Sequence, residues 1–271
     1  MNKLPILMTA SVSTRGMVGA DFTDEEREKM YLETLTFYGR ELLGNDSDRK
    51  IVFAENSGWD LDAFNSRLAC KYPNQIEFVP LNPEEFDISK GKGYNELLLI
   101  SKAIRCSKSL KESNAFLKVT GRYPIYNLSS FLGDAEEFFC NGGALYCDMK
   151  DHSLYDIIFR NPSVWNGHKV GTGMFASTVN FFTEKLGPLY TQCNDYEGKW
   201  VECVWYDALQ HYRQHPCPEV SLRFKVEPEY GGMQGSNNST FTFSKNNQSP
   251  KKKIMRFVGN ILRRYVPSFW F

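Results

Sequence analysis

The sequence has no long apolar run and no paired cysteines, and each absence excludes a class of protein. No stretch reaches the ~18 consecutive apolar residues that a membrane-spanning helix requires, although hydrophobic residues make up 42% of the 271-residue chain. The seven cysteines are scattered and never form a Cys-x-x-Cys pair, which favours a reducing compartment over a disulfide framework. The short apolar run near the N-terminus is typical of a first strand rather than of a signal peptide. We therefore expect a cytoplasmic protein.

Acidic residues are missing from the C-terminal end of the chain. No Asp or Glu follows Glu229, whereas seven basic residues do. Residues 1–229 carry 25 basic and 32 acidic side chains, so the zero net charge of the chain conceals an acidic body and a basic tail. An acidic body lacks the basic stripe of nucleic-acid-binding domains, which argues against that class.

The basic tail also has the spacing of an amphipathic helix. Between residues 254 and 265 the apolar residues recur at helical intervals and form one face. Basic and aromatic residues flank that face, as in helices that lie in an anionic membrane surface. We expect residues 246–271 to attach the protein to the inner face of the cell membrane, the alternative being a helix packed on its own domain. The residues predicted to contact the membrane are Lys251, Lys252, Lys253, Arg256, Phe257, Arg263, Arg264 and Trp270.

Strands and helices alternate in the first half of the chain. Apolar runs predict strands at residues 5–11, 50–54, 75–80 and 115–119. Helical patterns lie between them at residues 23–43, 60–72 and 94–107, the first opened by a capping box of Thr23 and Glu26. This alternation predicts a mostly parallel α/β sheet flanked by helices. We expect a single domain over residues 1–245, with a regular first half at about 1–125 and a less regular second half at about 126–245.

Small and polar residues follow three of the predicted strands. Ligands of parallel α/β sheets bind beyond the carboxyl ends of the strands, so these residues predict a binding crevice. Alternation along the fourth strand puts Lys118 on the same face as Thr120, and an arginine after the strand suits bidentate binding of phosphate oxygens. The crevice residues are Thr9, Ala10 and Ser11, then Glu55, Asn56 and Ser57, and then Thr120, Gly121, Arg122 and Tyr123.

Two glycine-containing segments predict further phosphate contacts. Lys92 and Gly93 open an apolar helix, where free backbone N–H groups and positive charge favour an anion. The spacing of this segment is not that of a Walker A loop. A loop at residues 231–239 is rich in Gly, Ser and Asn, which is typical of a mobile lid, with Gly235 and Ser236 as its candidate ligands. A plain linker is the alternative for this loop.

Taken together, these segments resemble the GT-A-like glycosyltransferases of bacterial O-antigen and capsule biosynthesis. The shared features are the turn Gly91-Lys92-Gly93-Tyr94 that leads into a helix, the segment Glu55-Asn56-Ser57, and the element Lys118-Val119-Thr120-Gly121-Arg122-Tyr123. The resemblance covers roughly residues 3–240. It implies a GT-A-like catalytic domain over residues 1–245, with a nucleotide-binding half at about 1–125 and an acceptor half at about 126–245. It also implies the transfer of a sugar, a hexose by default, from a nucleotide sugar to a lipid-linked saccharide in surface polysaccharide synthesis.

The chain departs from this family at the end of the fourth strand. The family carries an Asp-x-Asp motif for a metal ion there, whereas this chain has Thr120-Gly121-Arg122. The departing nucleotide diphosphate gains negative charge that a metal ion or fixed cations must stabilise. We expect Lys118 and Arg122, with Lys92, to supply that charge, so that no metal cofactor is needed. Asp148 and Asp151 are the remaining candidates for metal ligands, although a solvated turn explains them better.

An inverting glycosyltransferase also needs a general base to deprotonate the acceptor hydroxyl. The resemblance places that base at the start of a helix in the second half, where Glu202 stands between Trp200 and Trp205. An apolar setting raises the pKa of a carboxylate toward neutrality, which suits a base. Glu197 and Asp207 are the reserve candidates. An ordinary surface Glu, and a retaining mechanism, both remain open.

Two other functions fit the same residues. A CMP-sugar donor would make the protein a sialyltransferase-like enzyme, since a CMP leaving group has one phosphate and depends less on a metal. A non-catalytic nucleotide-binding assembly protein at the membrane would use the fold without the chemistry. Either role is compatible with a homo-oligomer or with a complex with other polysaccharide-assembly enzymes.

Overall fold

The computed structural model describes residues 3–17, 22–44, 47–68, 70–151, 167–231 and 249–266, except for the side chain of Lys252. Gly235, Ser236 and Trp270 lie outside the described residues. The first half contains the strands β1 (Ile6–Ala10), β2 (Ile51–Glu55), β3 (Ile76–Pro80) and β4 (Ala115–Thr120). Its helices are α1 (Asp24–Leu42), α2 (Asp62–Leu68), α3 (Gly91–Cys106) and α4 (Lys108–Lys111).

The second half is a mixture of short strands and helices. Its strands are β5 (Leu145–Tyr146), β6 (Met149–Asp151), β7 (His168–Val170), β8 (Met174–Thr178) and β9 (Val220–Ser221). Its helices are α5 (Leu128–Cys140), α6 (Val179–Phe181), α7 (Val201–Gln214) and α8 (Pro250–Tyr265). A π-helical turn at Phe182–Leu186 and a 3-10 helix at Gly187–Gln192 continue α6. Further 3-10 turns span Pro83–Glu85, Ile88–Lys90 and Asp195–Glu197.

The described strands form a seven-stranded sheet and a separate two-stranded sheet. The order of the large sheet is β3-β2-β1-β4-β8-β5-β9, and β6 pairs with β7. Strands β1 to β4 are parallel to one another, while β8 runs antiparallel between β4 and β5. The predicted fold class, a mostly parallel sheet flanked by helices with an amphipathic C-terminal helix, is confirmed. The antiparallel insertion of β8 was not predicted, because its partner strand β4 lies far away in the sequence.

Alternate residues of the central strands point to opposite faces of the sheet, and each face carries an apolar cluster. Ile6 and Met8 of β1 pack with buried residues of α1, α2 and α5. Leu7 packs on the other face with buried residues of α3 and α7. Helices on both faces explain why β1 and β2 are apolar at almost every position instead of alternating with polar residues.

The predicted start of α1 is confirmed. The Thr23 side chain accepts a hydrogen bond from the Glu26 backbone, and the Glu26 carboxylate accepts one from the Thr23 backbone, which completes a capping box. Helix α2 is shorter than expected. Helix α5 was not predicted, although its buried residues have helical spacing: Leu128, Phe131, Leu132 and Ala135.

Helix α8 packs on the body of the protein through its polar face. Arg263 is buried and forms a bidentate ion pair with Asp148, at 2.5 and 3.1 Å. Arg256 forms an ion pair with Glu229 at 2.6 Å, and the Asn260 side chain accepts a hydrogen bond from the Glu227 backbone. The prediction that Arg256 and Arg263 face a membrane is therefore wrong, because carboxylates of the body bind both side chains.

The apolar face of α8 points away from the body instead. Phe257 is 67% exposed, and the side chains of Lys251, Lys253 and Arg264 are exposed as well. The other exposed apolar residues of this face are Ile254, Met255, Val258, Ile261, Tyr265 and Val266. The helix is therefore packed on its own domain, and its apolar face is exposed. None of the described helices combines the length and the apolar composition that crossing a bilayer would take.

Candidate active site

A cleft of about 970 Å³ opens at the carboxyl ends of β1 and β4. The parallel strands bring their last residues to one edge of the sheet, where the helix N-termini of α3 and α7 also arrive. The structure places most of the predicted crevice residues in this cleft. They are Thr9, Ala10, Ser11, Asn56, Ser57, Lys92, Gly93, Thr120, Arg122, Tyr123 and Glu202.

Arg122 presents positive charge to the cleft. It stands directly after β4, and its Nη1 is buried without a hydrogen-bond partner among the described residues. A buried N–H without an acceptor is costly, and an incoming anion would remove that cost. Arg122 is therefore placed to bind phosphate oxygens.

A second arginine, Arg27 of α1, lies beside Arg122 and was not predicted. Arg27 is buried, and it donates hydrogen bonds to the backbone carbonyls of Ser11 and Val12. Burial lowers the pKa of Arg27, and the positive charge of Arg122 lowers it further. Two neighbouring cations at the end of β1 strengthen the field that would attract an anion.

The loops that follow β1 and β2 are joined at the same end of the cleft. Ser11 Oγ donates a hydrogen bond to Asn56 Oδ1 at 2.5 Å, and the Ser13 backbone donates one to Ser57 Oγ. Beneath them, the fully buried Glu55 carboxylate accepts hydrogen bonds from the backbones of Val12 and Ser57, among others. Glu55 was predicted to bind the ligand, but the structure places it under the cleft, where it shapes the two loops.

Lys118 does not face the cleft as expected. Its side chain is fully buried, and its Nζ donates to Glu96 Oε1 at 2.5 Å, to Thr120 Oγ1 at 3.0 Å and to the Thr172 carbonyl at 2.8 Å. An ammonium group has three N–H donors, so these bonds use all of them. The expectation that Lys118 reaches a departing phosphate is therefore wrong, because its ammonium group is paired with Glu96 of α3.

Gly121 serves packing rather than ligand approach. Its backbone N–H donates to the Thr9 carbonyl at 3.0 Å, which extends the β1–β4 ladder by one residue. A Cβ at this position would come within 2.9 Å of that carbonyl and of the Tyr31 ring. Gly121 therefore lets β4 and α1 approach each other, and it lies outside the cleft lining.

The predicted anion site at the start of α3 holds a carboxylate of the protein itself. Asp195 Oδ2 accepts hydrogen bonds from the backbones of Lys92 and Gly93, at 2.6 and 3.3 Å. Gly91 has a φ of +85°, and a Cβ there would lie 2.5 Å from Asp195. Burial raises the pKa of Asp195, although the two N–H groups oppose that effect. The helix N-terminus does attract an anion, but Asp195 takes the place predicted for phosphate.

Glu202 lies in the first turn of α7 and lines the cleft. Burial raises the pKa of Glu202, and the negative charges of Glu96 and Asp195 raise it further, while Lys169 opposes them. A carboxylate with a raised pKa holds a proton more readily, which is the property required of a general base. Trp200 lines the same wall of the cleft.

Glu197 lies apart from the cleft. Its carboxylate is exposed, forms an ion pair with Lys199 at 2.8 Å and accepts a hydrogen bond from Asn194. The Lys199 hydrogen bond lowers the pKa of Glu197, opposite to what a base requires. Glu197 is therefore no alternative to Glu202 in this geometry.

Asp148 and Asp151, the remaining candidates for metal ligands, are both committed to cations of the protein. Burial alone would raise the pKa of Asp148, but its ion pair with Arg263 prevails and lowers it. Asp151 contacts Arg213 and the Nδ1 of His168. No group of three or more His, Cys, Asp and Glu side chains suited to a metal ion occurs in the described part of the chain. The side chains around these two aspartates do not provide the ligands of a metal site.

Two further cations of the cleft, Lys150 and Lys169, were not predicted. They belong to the β6–β7 hairpin, whose three-residue strands are too short for a clear alternation signal, and both line the cleft. Their Cα atoms are register partners across the two strands. The second half of the cleft thus has basic residues of its own.

The sequence matches no protein-family model and no curated protein. Among solved structures it is similar to the mannosyltransferase Ktr4p from S. cerevisiae, at 12% identity and a TM-score of 0.49, over 94% of this chain and 81% of that one. It is also similar to core-mannan synthase A from Aspergillus fumigatus, at 10% identity and a TM-score of 0.46, over 97% and 85% of the two chains. Mouse xyloside xylosyltransferase 1 follows at 8% identity and a TM-score of 0.44, over 81% and 84%.

Proposed function

We propose that this chain is a glycosyltransferase that moves a sugar from a nucleotide sugar to a saccharide acceptor. The observation that carries the proposal is the pair of functional groups in one cleft: Arg122, with a buried unpartnered N–H, and Glu202, with a raised pKa. A cation for the leaving group and a base for the attacking hydroxyl are the two requirements of inverting transfer.

The loops after β1 and β2 form the donor end of the cleft in this proposal. Ser11, Asn56 and Ser57 would contact the nucleoside, and Arg122 and Arg27 would face its phosphates. As the bond to the sugar breaks, negative charge develops on the diphosphate, and a fixed guanidinium stabilises it without rearrangement. Transfer would therefore need no divalent ion.

Glu202 would act at the acceptor end of the cleft. Its carboxylate takes the proton from the acceptor hydroxyl as that oxygen attacks the sugar carbon from the side opposite the leaving group. The raised pKa of Glu202 makes its carboxylate a stronger base for this proton transfer. Inversion at the sugar carbon follows from this arrangement.

The acceptor is proposed to be a lipid-linked saccharide of bacterial surface-polysaccharide synthesis, reached from the cytoplasmic side of the membrane. Helix α8 supports this, because it presents Phe257 and Ile254 outward beside the exposed Lys251 and Lys253. Apolar burial in the interface and attraction to anionic lipids, about 1 kcal/mol per basic residue, add together. Arg256 and Arg263 contribute nothing to this attraction, since they are paired within the protein.

A thermal-shift panel of UDP-, GDP-, dTDP- and CMP-sugars, each with and without EDTA, tests the activity class. We expect one nucleotide series to raise the melting temperature equally in both conditions. Stabilisation by CMP-sugars alone would favour a sialyltransferase-like enzyme. Donor binding without turnover of any saccharide acceptor would favour the assembly protein, and no stabilisation by any nucleotide would refute the proposal.

The membrane proposal is tested with Phe257→Asp, which changes the exposed face of α8 and leaves its ion pairs intact. We expect binding to vesicles that contain anionic lipid to fall about 10-fold or more, because a large apolar side chain is replaced by a repelled charge. The melting temperature should change little, since Phe257 is 67% exposed. Lys29→Asp, on the exposed surface of α1, is the control. Unaltered vesicle binding by Phe257→Asp would refute membrane attachment through this face.

A further inference from the structure

The β6–β7 hairpin has one face fixed to the body of the protein. Met149 and Val170 are buried in the apolar cluster that includes α3 and α7. At the end of the hairpin, Asp151 accepts a hydrogen bond from Tyr206 of α7 at 2.8 Å and contacts His168 at the same distance. The hairpin therefore holds its opposite face in a defined position.

Of the six residues of the two strands, Lys150 and Lys169 are the ones on that opposite face. Lys150 and Lys169 stand directly across from each other, and both line the cleft. Like charges at directly opposed positions of an antiparallel pair destabilise the strands. Burial lowers the pKa of Lys169, and the neighbouring charge of Lys150 lowers it further. An anion between the two ammonium groups would remove this repulsion.

The two lysines lie between the candidate base and the C-terminal helix. Lys169 interacts electrostatically with Glu202 of α7. Lys150 interacts with Asp148 and Glu227, which also belong to the surface that binds α8. Arg122 and Arg27, by contrast, belong to the donor end of the cleft at β1 and β4. The hairpin thus places positive charge on the acceptor side, next to the helix that faces the membrane.

We propose that Lys150 and Lys169 form a subsite for the acceptor that binds the diphosphate joining the saccharide to its lipid. This inference rests on the proposed function. Two opposed ammonium groups match the two negative charges of a diphosphate bridge, one on each phosphorus, better than the single charge of a carboxylate or of a phosphodiester. A phosphate at a lipid–saccharide junction also lies at the membrane surface, which is where the apolar face of α8 would hold this end of the cleft.

Calorimetric titration with inorganic pyrophosphate tests the subsite. The protein is first saturated with the nucleoside diphosphate that the thermal-shift panel identifies, so that the donor site is filled. We expect pyrophosphate to bind this complex, and the double variant Lys150→Gln/Lys169→Gln to bind it at least about 10-fold more weakly, because two charge-assisted hydrogen bonds are lost. Lys29→Gln, an exposed lysine of α1, should bind like the parent protein.

The melting temperature of the double variant checks that it folds. It should equal or exceed that of the parent protein, because the repulsion between the two lysines is removed. Equal pyrophosphate affinity in the double variant would overturn the inference. Competition between pyrophosphate and the nucleotide would overturn it too, because the lysines would then bind the phosphates of the donor. If no nucleotide stabilises the protein, the proposed function fails, while titration of the nucleotide-free protein still tests the lysines.

Discussion

The floor of the cleft, at Lys118, and its wall, at Arg122 and Glu202, differ in how their charged side chains are paired. In the floor, the fully buried Lys118 has all three donors satisfied by Glu96, Thr120 and the Thr172 carbonyl. In the wall, Arg122 keeps a buried N–H without a partner among the described residues, and burial together with the charges of Glu96 and Asp195 raises the pKa of Glu202. Lys118 is therefore committed to the fold, whereas Arg122 and Glu202 line the cleft and are placed to act on a ligand. Sequence position alone does not separate them, since Lys118 and Arg122 are four residues apart.

The largest effect is expected from Glu202→Gln, which keeps the shape of the wall and removes its base. We expect kcat to fall by about 10² to 10⁴-fold, the range attributed to general-base catalysis, with donor affinity unchanged. Steady-state kinetics at several pH values measures this, and the acidic limb of the rate profile should disappear in the variant. Asp207→Asn is the control, because Asp207 lies farther along α7, is exposed and is not part of the cleft lining. Full activity of Glu202→Gln would remove Glu202 from the mechanism.

A large effect on stability is expected from Lys118→Met in the floor. Losing one partner of a buried ion pair leaves Glu96 uncompensated, which costs about 3–5 kcal/mol of unfolding free energy. Urea denaturation followed by circular dichroism measures this cost. The exposed Lys29→Met should change stability by about 0.5 kcal/mol or less. A Lys118→Met protein as stable as its parent would show that the floor is not held by this pair.

The smallest effect concerns the pH dependence of stability. The pKa of Glu202 is higher in the folded than in the unfolded chain, so between these two pKa values the folded state binds more protons than the unfolded state does. The contribution of Glu202 to the free energy of unfolding is therefore fully present below its unfolded pKa and is lost as pH rises through its folded pKa. Glu202→Gln should lack this loss and be more stable than the parent at neutral pH. Parallel urea titrations at several pH values would show whether the two proteins diverge in this direction.

Local patterns predicted the frame of the cleft well. The four parallel strands and the capping box of α1 follow from periodicity and from short-range side-chain bonding, both of which the sequence displays directly. The cleft residues after β1, β2 and β4 then follow from the rule for parallel sheets. Arg122 was found in this way, whereas Glu202 was found through the resemblance to glycosyltransferases.

Three of the errors depend on partners that are distant in the sequence. Lys118 lost its predicted role to Glu96 of α3, and the N-terminus of α3 is bound by Asp195, about a hundred residues away. The face of α8 that packs on the body contains Arg263, which pairs with Asp148, 115 positions earlier in the sequence. An amphipathic pattern shows that a helix has two faces, but the carboxylates of the body determined which face packs.

Donor binding by the matched variants Arg122→Met and Lys118→Met tests the central claim most directly. Each removes one cation from the same end of β4, and calorimetry with the donor found in the panel, together with urea denaturation, measures both properties. The account predicts that Arg122→Met loses about 10²-fold or more in donor affinity and retains its stability, whereas Lys118→Met loses stability first. Unchanged donor affinity in a folded Arg122→Met protein would contradict it.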